Sequence, residues 1–550
     1  MKREKDIMKE EKKTGERQKR RRQLFPVLAA LCLAAAAAAV FLWMGGNGRK
    51  GEEPVTLRFL LFGAEEPRGM DAVLEEFEKR TGDTLGLRIE IDWIEDATEY
   101  KKLSDVRLSS MVNYDLVFDA AWIHLDSMQE KGIYADLSPY LKNPDYPGLY
   151  GAFSEKILEN NLVGGEQCAL PVCRTYGSGI PCIYYRKDLA GKYGMDSVEN
   201  EEELKAYLEA LLAHEPEMIP LVLRGDRGFY NFQPNPRPLK EEQASRLVYP
   251  VQIGKVRVVA QLDESGTRVE AVGIMGDQEG FGDFMEGLQY DFLIPSLEGY
   301  REWNRYCEED VLNRQDQEEV FWSGAGGAYI GTLDDYEEVE RILTSRVEGA
   351  ELGAYIINEG IREKREGAVA SNYRANNYVC IPASSRHVEE TVRFLDWLFT
   401  SRENHDLFEY GVEGIHWRAE GEERYEQIPD EEGEYYLFPG YTLTWNSHYV
   451  RFPAQMPPEI LEYKEYELRE SSFFEQRLKD FSFDDTAVKN SMQKVVPILK
   501  EAWYPLSNGV LENPVQTMQE AVEEAKRYGL YDILEEVKRQ LQEYLDNQGN

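Results

Sequence analysis

The side chains that most often perform catalysis do not form a recognised motif in this 550-residue chain. Six histidines occur, at positions 124, 214, 387, 405, 416 and 448, and no two are four residues apart. The zinc-protease pattern His-Glu-x-x-His is therefore absent. The sequence also lacks Gly-x-x-x-x-Gly-Lys-Ser/Thr and Gly-x-Ser-x-Gly. None of the six cysteines forms Cys-x-x-Cys, so the sequence indicates neither a metal site nor a cofactor.

Carboxylate chemistry is harder to exclude. A glycoside hydrolase needs only two well-placed Asp or Glu residues, and residues 51–550 contain 96 of them. Nothing in their spacing selects a pair, so a cell-surface carbohydrate-active hydrolase stays open as an alternative. The segment 324–331, GAGGAYIG, resembles a dinucleotide-binding turn only loosely, because Tyr329 occupies a position where a glycine is needed.

Aromatic side chains give a more specific indication of binding. Exposed rings can stack on the apolar C–H faces of sugars, while Asp, Glu, Asn and Arg bond to the hydroxyl groups. Packing within the core is the competing interpretation for each ring. The aromatics that fall in predicted loops or at element ends are Trp122, Tyr176, Trp322, Tyr373, Trp417 and Trp445.

The segment 408–417, FEYGVEGIHW, follows a strongly patterned helix. His416 has no second histidine at helical spacing, so a metal site is not favoured. Gly411 and Gly414 predict a sharp turn, since glycine adopts positive φ angles without strain. We expect this turn to present Glu413 and Trp417 at the edge of a binding cleft, where they either contact a ligand or brace the protein.

The charge of the chain is strongly acidic after its N-terminus. Residues 51–550 contain 50 basic and 96 acidic residues, a net charge of −46. This balance predicts that the protein has no nucleic-acid partner, because phosphate groups would be repelled.

The N-terminus predicts attachment to a membrane. Residues 1–23 carry 11 basic and 5 acidic residues, and an uncharged segment of 23 residues follows at 24–46. Such a segment can span a bilayer, with the basic flank in the cytoplasm and the remaining chain outside. The sequence favours an uncleaved transmembrane anchor, with a lipid anchor at Cys32 or a cleaved signal peptide as alternatives. Residues 47–54 predict a short linker.

Strand and helix patterns alternate after the linker. We predict strands over 55–63, 87–94 and 114–122 and helices over 68–82 and 99–112. This alternation is typical of a parallel α/β sheet. Ligands of such sheets bind beyond the carboxyl ends of the strands, so Phe62–Gly63 and Asp119–Trp122 border a candidate site.

Residues 167–194 interrupt this alternation and predict a crossing from a first lobe to a second. An extended segment rich in proline and glycine is expected there, and Ile183 to Leu189 are predicted to open a helix. Residues 318–339 predict a helix, a glycine-rich turn, a short strand and another helix. Residues 529–545 predict an amphipathic helix.

Four stretches of the chain carry a family resemblance: residues 114–141, 169–194, 394–417 and 529–545. They resemble the extracellular solute-binding proteins of ABC importers, family 1. The resemblance is closest to a branch of large Gram-positive lipoproteins that carry an extra C-terminal domain of undefined function.

The resemblance implies a two-lobed, periplasmic-binding-protein type II-like α/β fold joined by a hinge, preceded here by the N-terminal segment. Lobe 1 would span 55–175 and be completed by about 378–415. Lobe 2 would span 180–375, with 416–550 completing it and supplying the terminal helices.

The resemblance also implies a function without catalysis. The protein would capture a sugar, an oligosaccharide or a similar polar solute outside the cell by closing its hinge, and deliver it to ABC permease subunits. A membrane-anchored sensor that uses the same fold is a further alternative. Positions matching the family's ligand contacts are Asp119, Trp122, Arg174, Tyr176, Tyr329, Asp334, Asn372, Tyr373, Arg374, Glu413 and Trp417.

Overall fold

The computed structural model of the chain describes residues 54–63, 65–110, 112–229, 232, 241–288, 294–479 and 481–548. The predicted basic segment, the predicted membrane anchor and nearly all of the predicted linker lie outside these residues. Among the described residues, no helix has the length and the apolar composition needed to cross a membrane.

The strands are short and are distributed along most of the described chain. They are β1 (Val55–Phe62), β2 (Leu87–Ile94), β3 (Leu116–Ala120), β4 (Ala169–Val172), β5 (Pro181–Arg186), β6 (Leu247–Val248), β7 (Gln252–Ile253), β8 (Val256–Leu262), β9 (Val269–Ile274), β10 (Ala328–Thr332), β11 (Leu352–Ile356), β12 (Val369–Ser371), β13 (Asn377–Cys380), β14 (Trp417–Ala419), β15 (Arg424–Gln427), β16 (Phe452–Pro453) and β17 (Phe473–Glu475).

The α-helices include the longest elements of the chain. They are α1 (Met70–Thr81), α2 (Ala97–Ser109), α3 (Leu125–Glu130), α4 (Ser138–Leu141), α5 (Pro147–Ala152), α6 (Glu155–Asn160), α7 (Lys187–Lys192), α8 (Glu201–His214), α9 (Glu241–Ser245), α10 (Ile294–Trp303), α11 (Gln317–Trp322), α12 (Tyr336–Arg346), α13 (Glu359–Arg362), α14 (Val388–Thr400), α15 (Arg402–Glu409), α16 (Pro458–Glu467), α17 (Lys489–Ser507), α18 (Pro514–Arg527) and α19 (Leu530–Gln548).

These elements form two units, and the chain passes from one to the other after Arg174, after Tyr373 and after Ala454. Unit 1 contains the residues up to Arg174 and Arg374–Ala454, and unit 2 contains Thr175–Tyr373 and the residues from Gln455 onward. The predicted lobe bounds stay a prediction. Residues up to Ala454 belong to unit 1, where the Tyr441 hydroxyl bonds to the Gly63 carbonyl and the Arg451 guanidinium bonds to Asp406.

Unit 1 is built on a five-stranded sheet of order β2-β1-β3-β13-β4. β1 pairs in parallel with β2 and β3, and β13 runs antiparallel to β3 and β4. The predicted parallel α/β alternation is therefore confirmed for the first three strands. α14 packs against this sheet, with the rings of Phe59 and Phe394 5.2 Å apart at their centroids. The carboxyl ends of β1 and β3 consequently lie side by side at one edge.

Unit 2 contains a three-stranded antiparallel sheet of order β10-β5-β11. The helix predicted to begin at Ile183 is wrong: residues 183–186 belong to the central strand β5, and α7 begins at Lys187. Ile183, Tyr184 and Tyr185 are all buried, which suits β-branched and aromatic residues in a strand covered on both faces. The helix–turn–strand–helix pattern predicted for 318–339 is confirmed by α11, β10 and α12.

The C-terminal helices α17, α18 and α19 pack into the core of unit 2. The predicted apolar stripe of the last helix is buried in full. Lys526 on α18 forms a 2.9 Å ion pair with Asp277, which follows β9 and is fully buried. This pair joins the C-terminal helices to the β6-β8-β7 sheet with its partner β9. The residues of the stripe are Leu530, Ile533, Leu534, Val537, Leu541 and Leu545.

Candidate functional site

Four aromatic side chains and one arginine form a continuous surface at the carboxyl edge of the unit 1 sheet. We call this surface, made of Phe62, Trp122, Tyr441, Trp445 and Arg174, the aromatic face. Ring centroids are 5.5 Å apart for Phe62 and Trp122, 6.3 Å for Phe62 and Tyr441, and 5.8 Å for Tyr441 and Trp445. The Arg174 guanidinium carbon lies 4.6 Å from the centre of the Trp445 ring.

A hydrogen bond from the Tyr441 side chain to the backbone at the end of β1 holds Tyr441 beside Phe62. The Tyr441 hydroxyl donates to the Gly63 carbonyl over 2.9 Å. Gly63 has a φ of +90°, and a Cβ atom there would lie 1.8 Å from that hydroxyl. Only glycine therefore allows the close approach that places Tyr441 beside the strand end.

Trp122 is presented by a turn that Asp119 stabilises. One Asp119 carboxylate oxygen accepts from the backbone N–H groups of Ala120 (2.7 Å) and His124 (3.1 Å), and the other accepts from the Tyr134 hydroxyl. Burial raises the pKa of Asp119, and these hydrogen bonds oppose the shift. Trp122, by contrast, is 48% exposed. The predicted site at the end of β3 thus consists of an exposed ring on a buried carboxylate support.

Arg174 is fixed by a buried carboxylate at the end of α15. Its Nη2 donates to Glu409 Oε1 over 2.9 Å, and the Thr444 hydroxyl donates to Glu409 Oε2. The Glu409 side chain is 5% exposed, whereas that of Arg174 is 36% exposed. A Cβ atom on Gly440 would lie 2.1 Å from Glu409 Oε2 and 2.4 Å from Trp445. The arrangement holds the guanidinium against the indole, where cation–π attraction stabilises it further.

Tyr329, predicted as a unit 2 contact, lies in a core. It is 3% exposed, and its ring packs on Phe321 and Tyr184 at centroid distances of 4.9 and 5.3 Å. Burial raises the pKa of this tyrosine above its ordinary range. Packing within unit 2 thus accounts for Tyr329, and a ligand contact for it stays a prediction.

Asp334, the other predicted unit 2 contact, is half-exposed and belongs to a charged cluster. Lys464 pairs with it at 3.3 Å, and Glu467 lies nearby on the same helix as Lys464. The Glu467 side chain is 2% exposed, and its Oε1 has no hydrogen-bond partner among the described residues. Burial and the charge of Asp334 raise the pKa of Glu467 to about 7, although Lys464 opposes the shift. Two carboxyls with different environments can perform acid–base chemistry, but the burial of Glu467 keeps it from a substrate.

Five of the predicted ligand contacts lie beside two of the three passages between units; they are Arg174, Tyr176, Asn372, Tyr373 and Arg374. Arg174 is the last residue before the first passage, and Tyr373 and Arg374 border the second. Within unit 2, the Ser371 hydroxyl donates to the Tyr176 carbonyl over 2.6 Å and accepts from the Tyr373 N–H over 3.0 Å. Tyr373 adopts a φ of +56°, a left-handed conformation that few side chains favour.

The exposure of these flanking residues varies. Tyr176 and Tyr373 are buried, Asn372 is half-buried and Arg374 is exposed. The hinge and the contact of these residues with a ligand both stay predictions.

The turn at 411–417 is confirmed, with φ angles of +89° at Gly411 and +82° at Gly414. Glu413 is exposed, and its place at the edge of a binding cleft stays a prediction. Trp417 is buried, which agrees better with the bracing role than with a ligand contact, and its place at a cleft edge stays a prediction. It is 3% exposed, its indole N–H donates to the Gly411 carbonyl over 2.9 Å, and the Arg451 guanidinium lies 5.0 Å from its ring centre.

His416 has a structural environment in the same turn. Its Nδ1 accepts from the Val412 N–H over 3.0 Å, and its ring stacks on Tyr436 at 5.0 Å. Burial lowers the pKa of His416. A neutral imidazole that accepts a backbone hydrogen bond accounts for this histidine without a metal ion.

Two parts of the site were missed from the sequence. Tyr441 and Glu409 were not assigned to it, although Glu409 lies in a stretch that carried the family resemblance. The sequence indication nearest to them is Trp445, a predicted loop aromatic whose ring lies 5.8 Å from that of Tyr441. Their roles depend on contacts between residues hundreds of positions apart.

Comparisons with known proteins agree with this architecture. Residues 477–546 match the family described as "Domain of unknown function (DUF3502)". Lipoprotein LipO of Bacillus subtilis (strain 168) is 29% identical over 157 residues, which is 28% of this chain and 30% of that protein. The match thus spans less than a third of this curated relative.

Solved structures match nearly the whole chain. The N-glycan transport solute binding protein NgtS of Streptococcus pneumoniae has a TM-score of 0.65 and 21% identity, over 90% of this chain and 100% of that one. Its complex with Man1GlcNAc has a TM-score of 0.54 and 20% identity, over 89% and 99% of the two chains. An HMO-binding, ABC-transporter-associated solute binding protein from Bifidobacterium longum infantis has a TM-score of 0.54 and 11% identity, over 90% and 100%.

The chain therefore has the α/β fold of solute-binding proteins. The predicted resemblance to solute-binding proteins is confirmed for the fold, and the domain of unknown function falls in the predicted C-terminal region.

Proposed function

We propose that this protein is the substrate-binding component of an ABC importer and that it captures an oligosaccharide outside the cell membrane. The observation that carries the proposal is the aromatic face, which lies beyond the carboxyl ends of β1 and β3 on a solute-binding fold. This is the edge where α/β sheets bind their ligands. Its exposed Trp122 and the guanidinium of Arg174 combine an apolar stacking surface with hydrogen-bond donors.

The mechanism is binding without bond cleavage. Sugar rings stack on the aromatic face of unit 1, and the guanidinium of Arg174, whose side chain is 36% exposed, donates to their hydroxyl groups. A ligand that contacts both units only in a closed state shifts the population toward closure. Rotation about the three passages supplies the motion, and the closed protein delivers the ligand to permease subunits. The segment at 24–46, or a lipid at Cys32, anchors the protein to the membrane.

Relatives support an oligosaccharide as the ligand class. NgtS has been solved with Man1GlcNAc, and the Bifidobacterium protein is described as HMO-binding. Mannose–N-acetylglucosamine disaccharide and lacto-N-tetraose are therefore suitable first probes.

The test measures saccharide binding by calorimetry and by thermal stabilisation. A saccharide at 100 times its Kd should stabilise the protein by about 2.7 kcal/mol. Trp122→Ala should weaken binding about tenfold, or about 1.4 kcal/mol, because it removes the exposed stacking ring. Tyr150→Ala is the matched control, since Tyr150 is an exposed aromatic of unit 1 (55%) outside the aromatic face.

Three results would contradict the proposal. A neutral and acidic saccharide panel without any stabilising member would exclude the ligand class. Equal affinities of wild type and Trp122→Ala would exclude the aromatic face. Release of shortened products, detected by chromatography, would favour the hydrolase instead.

A further inference from the structure

The positive charge of Arg174 on the aromatic face is neutralised by the buried carboxylate of Glu409. Arg174 is the only positively charged member of this face as defined above, and the buried Glu409 carboxylate lies 2.9 Å from the guanidinium. A second hydrogen bond from Thr444 fixes the carboxylate, and Gly440 leaves the room that it occupies. The pair therefore contributes no net charge at this end of the face.

Glu409 is buried, yet its negative charge lies next to the exposed Arg174. The side chain of Glu409 is 5% exposed and is closed off from a ligand, whereas the side chain of Arg174 is 36% exposed and is open to one. Glu409 thus acts through Arg174. It holds the guanidinium carbon 4.6 Å from the centre of the Trp445 ring and lowers the electrostatic potential that a ligand meets there.

We propose that Glu409 is a specificity-determining residue that makes the aromatic face select uncharged oligosaccharides over acidic ones. This inference rests on the proposed saccharide-binding function. A uronate or sialic acid carboxylate gains little attraction from a guanidinium that is already neutralised. The net charge of −46 over residues 51–550 acts in the same direction.

The experiment compares two probes on the full chain: the neutral mannose–N-acetylglucosamine disaccharide and the acidic trigalacturonate. In wild type we expect tighter binding of the neutral probe. Glu409→Gln keeps the size and one acceptor for Arg174 but raises the local charge by one. The ratio of acidic to neutral affinity should rise about fivefold at low ionic strength, and the rise should shrink in 0.5 M salt.

The matched control is Glu403→Gln. Glu403 is an exposed residue on the same helix, α15, outside the aromatic face. Glu403→Gln changes the net charge by the same amount as Glu409→Gln. Its ratio of acidic to neutral affinity should nevertheless stay at the wild-type value. A merely structural role of Glu409 would lower both affinities together and would not produce a salt-dependent change in their ratio.

The outcomes separate this inference from the proposed function. An unchanged ratio in folded Glu409→Gln, or a wild type that prefers trigalacturonate, overturns the inference while saccharide binding stands. A wild type that binds no saccharide of either class refutes the proposed function and the inference with it. If Glu409→Gln does not fold, Glu409→Asp serves instead: it retracts the carboxylate, should raise the ratio by a smaller factor, and overturns the inference if the ratio is unchanged.

Discussion

The buried carboxyl of Glu467 should make the stability of the protein depend on pH. It ends α16 within unit 2, and its Oε1 has no hydrogen-bond partner among the described residues. Burial, with a contribution from the charge of Asp334, raises its pKa to about 7. The folded protein therefore holds a proton on Glu467 at pH values where an exposed glutamate has lost it.

This difference makes the stability of unit 2 depend on pH in a defined direction. In the unfolded chain, Glu467 ionises near its usual pKa of 4.5. Between pH 4.5 and 7 the unfolded chain loses the proton and the folded chain keeps it, so the free energy of unfolding falls as the pH rises. Because a tenfold change in proton affinity is 1.36 kcal/mol, the full loss above pH 7 is about 3 kcal/mol.

Glu467→Gln removes this pH dependence because an amide does not ionise in this range. At pH 4.5 the variant and wild type should have similar stability. At pH 8 the variant should be more stable by up to about 3 kcal/mol. Urea unfolding at pH 4.5, 6 and 8, followed by tryptophan fluorescence, measures the difference in the transition assigned to unit 2.

The control is Glu470→Gln, which changes an exposed glutamate close to the same helix. Its stability should follow that of wild type at every pH. A constant difference between Glu467→Gln and wild type from pH 4.5 to 8 would refute the reasoning, since it would mean that Glu467 ionises like an exposed glutamate. A variant less stable than wild type at pH 8 would also refute it.

Two buried ion pairs give further tests by urea unfolding. Asp406 accepts from Arg451 Nε over 2.7 Å with both side chains nearly inaccessible, so Asp406→Ala should cost about 3–5 kcal/mol; a loss below about 1 kcal/mol would show that solvent replaces the pair. Lys526→Met should cost about 3 kcal/mol in unit 2, because Asp277 is left as a buried, uncompensated charge. The double variant Lys526→Met/Asp277→Asn should recover part of this loss, and a double variant as unstable as the single one would contradict the reasoning.

The parts of the fold that were predicted correctly depend on local periodicity. α14 and α19 bury the apolar stripes that their spacing indicates, and β1 and β2 follow strand patterns. Residues 183–186 were mispredicted because a short apolar run followed by charged residues suits a helix start as well as a buried strand. Only the pairing with β10 and β11 decides between them.

The candidate site shows the same division. Trp122 could be predicted because it follows directly on a buried strand, and the carboxyl ends of parallel strands share an edge. Tyr441 could not, since its hydroxyl bonds to Gly63 across 378 residues. Glu409 and Arg174 are 235 residues apart. Nothing in the local pattern of either residue indicates which cation or carboxylate it will meet.

Helix α15 explains why the stretch 394–417 stands out in the sequence. Asp406 and Glu409 lie three residues apart, so they project from neighbouring positions on one side of the helix. Asp406 binds Arg451, which lies three residues before the passage after Ala454, and Glu409 binds Arg174, which lies directly before the first passage. One short helix thus fixes within unit 1 the points from which two of the three passages depart. These two ion pairs account for the acidic side chains that the helix places on this side.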